Sequence, residues 1–264
     1  MSQFKKGAAA LGALQQQGGG EGFIDSEFAK FGVGKTYKVR ILGTTDLMQY
    51  VGYGIYKKVN TFVAKNPSIR DEKGNAIENL TPWDKAEKYH RDLQFAASDA
   101  KNEAESKKQG QEASKYRGKE RYAFGFIDLE TGKEIVIDLS RDQALGIYPT
   151  ITKYENKLGK LAFELSKTNA TGQAKDTKVS LTPIIDFDED LSDKERANFA
   201  KFDGKEFNQK LFDGLLFEAD EKQQIENLVA AGFDITLIGL SIGATSQADE
   251  EVTPIEISDD DLPF

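Results

Sequence analysis

Alternation of apolar and polar positions is the clearest signal in this chain. From Lys35 to Leu42, Tyr37, Val39 and Ile41 fall on one side and Lys38 and Arg40 on the other, as in a half-buried strand with a basic outer face. Tyr50 to Ala64 is a second β-rich run, in which Gly52 and Gly54 mark a bulge or sharp bend. Tyr116 to Leu139 reads as a hairpin. Phe124 and Phe126 stand at strand spacing, Thr131-Gly132-Lys133 makes the turn, and another β-rich run follows. Leu161 to Lys167 and Lys178 to Pro183 are two more strands, joined by the polar loop from Thr168 to Thr177.

Helical spacing fills the intervals. Thr81 can cap a helix with Pro82 at its first position, and Trp83, Ala86, His90, Leu93, Ala97, Ala100 and Ala104 form one seam that should end near Gly110. Ser140 and Gln143 make a capping-box pattern ahead of Ala144, Ile147, Ile151, Tyr154 and Leu158, with a kink expected at Pro149 and a stop at Gly159. Phe199, Phe202, Phe207, Phe212 and Phe217, with the helical stretch from Glu221 to Ala231, should pack helices on the sheet, and Ile235 to Ile242 is a strand candidate.

Five or more short strands with a helix between the third and fourth describe the OB-fold. The expected class is therefore mainly β with helical additions (α+β), an OB-fold barrel carrying a helical insertion and C-terminal helices. Residues 1–22, rich in Gly and Gln, should be a flexible arm. The domain should span 23–245, with the insertion at about 66–115 and an acidic helical extension at about 186–245. Residues 246–264 should be a disordered acidic tail.

Composition narrows the chemistry. The 264 residues include no cysteine and a single histidine, His90, so disulfides and thiolate metal sites are excluded and little room is left for histidine bases. Asp186, Asp188 and Asp190 resemble a calcium loop, but Leu191 and Ala197 stand where such a loop needs Gly and Glu. No metal, cofactor or enzymatic activity is expected. No run of about 20 apolar residues occurs and the N-terminal apolar patch is too short for a secretory signal, so a cytoplasmic location without membrane contact is expected.

Charge separates the chain into parts. The net charge is −9, yet residues 35–183 carry 26 Lys and Arg against 20 Asp and Glu, while residues 184–248 carry six against 14 and residues 249–264 none against seven. A basic middle and an acidic end suit a polyanion-binding body with an acidic extension. Within the basic middle, cations interleave with rings. Lys57 and Lys58 accompany Tyr50, Tyr53 and Tyr56, while Arg117, Lys119 and Arg121 accompany Tyr116, Tyr122 and Phe124. Cations track phosphates and flat rings stack on unpaired bases, each stack worth about 1–3 kcal/mol. Lys38, Arg40, Lys167 and Lys178 complete the candidate DNA-binding set. Strand alternation separates Arg121 from Tyr122, Phe124 and Phe126, so Tyr116 and Tyr122 are favoured as stacking residues and the phenylalanines as core. The acidic third is expected to stabilise the domain rather than touch DNA.

The chain closes on Asp259, Asp260, Asp261, Leu262, Pro263 and Phe264. This ending resembles the acidic tip of bacterial single-stranded DNA-binding proteins, in which an acidic run precedes an apolar residue, proline and a C-terminal phenylalanine. The body resembles instead the single-stranded DNA-binding proteins of tailed phages, especially in YRGKERYAFGFIDLETGKEIVIDLS (116–140) and QALGIYPTITKYENKLGKLAFELSK (143–167). The resemblance covers about residues 30–185 and the tail. It implies an OB-fold, protection of unwound DNA in the infected host cell during replication, recombination and repair, and recruitment of replication and recombination proteins by the tip. Members with a zinc subdomain differ, because this chain lacks the Cys and His ligands. Self-association on DNA stays open, as do three alternatives: a strand-annealing or RNA-binding protein, an adaptor acting through its tail, and a carboxylate-metal nuclease.

Overall fold

The computed structural model describes residues 28–173 and 176–241. The strands, in chain order, are β1 (Thr36–Arg40), β2 (Leu47–Ile55), β3 (Val59–Ala64), β4 (Ile69–Arg70) and β5 (Ala76–Glu78). The helical hairpin α1 (Pro82–Asp99) and α2 (Glu103–Tyr116) follows, then β6 (Lys119–Asp128), β7 (Lys133–Ser140) and α3 (Arg141–Lys153). The chain continues with β8 (Ala162–Asn169), β9 (Thr177–Pro183), α4 (Phe187–Asp190), α5 (Asp193–Ala200), β10 (Glu218–Ala219) and α6 (Glu221–Ala231). The class is α+β, with a large, mostly antiparallel sheet and several helices; among the described residues no closed barrel forms. No described helix is long and apolar enough to cross a membrane.

The chain divides into two compact units. Among the described residues, the first comprises 28–47, 123–138 and 146–215. In it, β1 lies between β6 and β8, with Val39 opposite Asp128 on one side and Phe163 on the other, and β8 pairs with β9. Val39, Phe126, Phe163 and Leu165 share one face and are fully buried, as alternation requires. The outer face of β1 departs from expectation. Arg40 is 3% exposed because α5 and the turn after it cover this face. Its guanidinium lies 4.0 Å from the Phe199 ring centre, donates to the Phe199 carbonyl and pairs with Asp203 at 2.8 Å. Lys38 donates to the Asp190 carbonyl at 2.6 Å and meets Glu195 at 3.2 Å. Alternation placed both cations correctly on the non-core face. It could not show that an acidic helix distant in sequence would cover that face.

Among the described residues, the second unit comprises 48–122, 139–145 and 216–241. Its strands run in the order β10, β3, β2, β6, and its core holds Tyr53, Phe62, Trp83, Tyr116, Ile225, Leu228 and Phe233. Thr81 caps α1 by accepting from the Asp84 amide, with Pro82 at the first position. The single helix expected to Gly110 is two helices. Lys101 adopts φ 56°, the Asn102 side chain caps α2 at the Glu105 amide, and α2 runs on to Tyr116. The 235–242 strand candidate is also corrected. Asp234 caps a short 3-10 turn, Ile235–Ile238, that closes at left-handed Gly239. Likewise α3 ends at Lys153 and gives way to a 3-10 turn, Glu155–Lys160, before Gly159 could act as a helix stop. The 1–22 arm and the 246–264 tail lie outside the described residues.

Candidate nucleic-acid interface

One face of the second unit has lost its side chains. Along β2, Val51, Tyr53 and Ile55 turn to the core, which leaves Gly52 and Gly54 on the opposite face. A Cβ on Gly54 would come within 3.1 Å of the Val59 and Asn60 carbonyl oxygens, and its φ of 142° disfavours any side chain. A Cβ on Gly52 would press on Thr61 and Tyr50 at 3.3 Å. The bare strand floors a cleft of about 280 Å³ lined by Tyr56, Lys57, Asn60, Thr61, Lys119 and Arg121.

The β2–β3 hairpin carries the aromatic end of the cleft. Tyr56 is 87% exposed, and Lys57, at φ 62°, places its ammonium 5.3 Å from the Tyr56 ring centre. On the other side of β2, Gly118 faces the core just before β6 begins. It packs so closely on Val51, Tyr53 and Arg70 that a Cβ would lie 2.7 Å from two of them, and Lys119 and Arg121 are thereby turned toward the cleft. The site thus joins an exposed ring, three cations and a strand with no side chain of its own at Gly52 and Gly54, an arrangement suited to a flexible polyanion with flat bases.

Beneath the cleft lies a buried polar network that sequence reasoning missed. Tyr53 donates to Asp84 at 2.7 Å and accepts from Arg70 at 2.8 Å, while Ser68, Thr81 and Arg70 also donate to Asp84. The residues come from three separate stretches, at 53, 68–70 and 81–84, with no periodic signal to link them. Burial, then the Asp84 charge, pushes the Tyr53 phenol well above its ordinary value. That network fixes β2 from below.

The candidate residues divide accordingly. Tyr56, Lys57, Lys119 and Arg121 share the cleft; Lys58 is exposed beside it, with its ammonium 3.5 Å from the Ala231 carbonyl. Tyr50 and Tyr53 are buried, which withdraws both as stacking faces. Tyr116 is 4% exposed, stacked on His90 and set edge-on to Trp83 and Phe233, so it is core. Helical spacing on α2 placed it there; the strand pattern begins only at Lys119. Tyr122 is half-buried and donates to Glu120 at 2.8 Å. Burial, then that carboxylate, raises its phenol. Phe124 is buried and stacked with Phe126. Arg117, half exposed, lies 3.9 Å from Glu87, whose carboxyl is raised by burial against the pull of Arg117 and Arg91. Lys38, Arg40, Lys167 and Lys178 belong to the first unit and do not line the cleft. There Lys167 donates to the Phe31 carbonyl at 3.0 Å and Lys178 is exposed on β9. Asp259 to Phe264 lie outside the described residues. Asn60 and Thr61 were not anticipated as lining residues; adjacent polar positions in a strand next to a glycine bulge were their only sequence signal.

No family model matches the chain, and no curated protein or solved structure matches it either.

Proposed function

We propose that this chain is a non-catalytic, sequence-independent single-stranded DNA-binding protein of the tailed-phage kind. In this reading it coats unwound DNA in the cytoplasm of an infected bacterium and recruits replication and recombination proteins through Asp259–Phe264. The sheet with its inserted helical hairpin is then an elaborated and opened OB-fold. The observation that carries the reading is the cleft, where an 87% exposed tyrosine ring and three cations surround a strand stripped by glycines. Duplex DNA keeps its bases stacked inward and offers this site only phosphate. A single strand offers phosphate and bases together.

Titration of labelled single- and double-stranded oligonucleotides, with and without magnesium, tests this. Single strands should bind preferentially, without cleavage. Binding should weaken steeply with salt, with a slope of log K against log salt of about −2 or steeper from Lys57, Lys119 and Arg121 alone. Equal affinity for duplex, or indifference to salt, would refute the reading.

A further inference from the structure

We infer that the bulge opposite Gly54 makes one wall of the cleft a base-reading edge: Asn60 and Thr61 bond the rim of one unpaired base while Lys119 and Arg121 hold the neighbouring phosphate. The inference rests on the single-strand reading above.

Strand register carries it. Tyr53 pairs with Phe62, and Ile55 pairs with Val59. Between these pairs β2 supplies Gly54 alone, whereas β3 supplies both Asn60 and Thr61. In a regular strand two successive side chains point to opposite faces; an extra residue re-aims them. Asn60 and Thr61 are both exposed and both line the cleft, while Val59 and Phe62 on either side are buried. The bulge needs Gly54, since a side chain there would strike the carbonyls of Val59 and Asn60. Bulge and glycine floor are therefore one construction.

The chemistry of the two walls differs. Neither the Asn60 amide nor the Thr61 hydroxyl has a hydrogen-bond partner among the described residues. The amide offers two donors and an acceptor, and the hydroxyl one donor and two lone pairs, all uncharged. Such groups match the mixed donors and acceptors of a base edge. A phosphate accepts only, and the cations for it stand across the floor, because β2 separates β3 from β6. The cleft, at about 280 Å³, lies just below the range of about 300–1,000 Å³ that holds drug-sized molecules, which suits one nucleotide unit. Tyr56 at the hairpin tip supplies the stacking surface.

The test compares two oligonucleotides of equal length, one of thymidines and one of abasic sugar-phosphate. Asn60→Ala combined with Thr61→Val keeps a β-branched residue in the strand and removes the bonding groups. The double variant should bind the thymidine strand about three- to tenfold more weakly, the loss of about one net hydrogen bond. Its affinity for the abasic strand and its salt slope should not change. Lys119→Ala should weaken both strands and reduce the slope by about 0.7. An equal loss on both strands in the double variant, or no loss on either, would overturn the base-reading edge alone. If the unaltered protein binds neither strand, the functional reading falls with it. Denaturation midpoints equal to that of the unaltered protein would confirm that the variants are folded.

Discussion

At the scale of single residues, position in sequence and position in space part company most clearly at the cations. Lys38 and Arg40 sit in an alternating strand and Lys57 and Lys119 beside tyrosines; all four look equally fit for phosphate. The structure leaves the last two exposed, while Arg40 is buried and donates to the Phe199 and Gly159 carbonyls. Its role is therefore to satisfy those carbonyls and cover Phe199. Arg40→Met should lower stability by about 2–4 kcal/mol, since each orphaned acceptor costs about 1–3 kcal/mol. The urea midpoint checks this, and under the proposed function the salt slope of DNA binding should stay unchanged. Tyr53 gives a pH signature. Its folded phenol is held above the ordinary value of 10.0, so the folded state keeps a proton that the unfolded chain gives up. The resulting stability is fully present below about pH 10 and is lost as pH rises beyond it. In an alkaline titration followed by tyrosinate absorbance, the share belonging to Tyr53 should appear only as structure is lost. Ionisation of every tyrosine with the fold intact would contradict this.

At the scale of elements, sequence was most legible where one local rule suffices. The capping box at Ser140 and Gln143, the strands from Lys35 to Pro183 and the helix closed by Gly232 all follow from neighbours a few residues apart. Gly232 isolates one such rule. It adopts φ 92°, yet a Cβ there would touch nothing within 4 Å, so Gly232→Ala should cost only the left-handed backbone penalty, about 1 kcal/mol. A thermal or urea midpoint would show it. A much larger loss would reveal packing that the open surroundings do not supply. Elements were misread where capping overrode hydrophobic pattern. The apolar run after Asp234 looks like a strand, but the Asp234 side chain caps a turn and Gly239 closes it. The seam from Trp83 to Ala104 continues across a chain reversal at Lys101 because an apolar stripe does not record where a helix turns back. The cleft was half legible for a similar reason. Tyr56 and Lys57 announced the hairpin tip, whereas Asn60 and Thr61 depend on a register shift visible only once the strands are paired.

For the whole molecule, opposite charges are separated in sequence, but in the first unit the acidic helix lies on the basic strand, so net charge by segment does not describe the exposed surface there. A different property follows from how the chain is threaded. Strand β6 is unbroken from Lys119 to Asp128, yet its residues to Tyr122 belong to the second unit and those from Ala123 to the first. The only tryptophan, Trp83, lies in the second unit with no exposed surface, its indole N–H donating to the Gln224 carbonyl at 3.1 Å. Its emission should start blue and report that unit alone, whereas far-ultraviolet circular dichroism sums over all the backbone. The red shift of the fluorescence should therefore coincide with loss of the part of the ellipticity that belongs to the second unit. A red shift that precedes any loss of ellipticity would contradict the burial of Trp83.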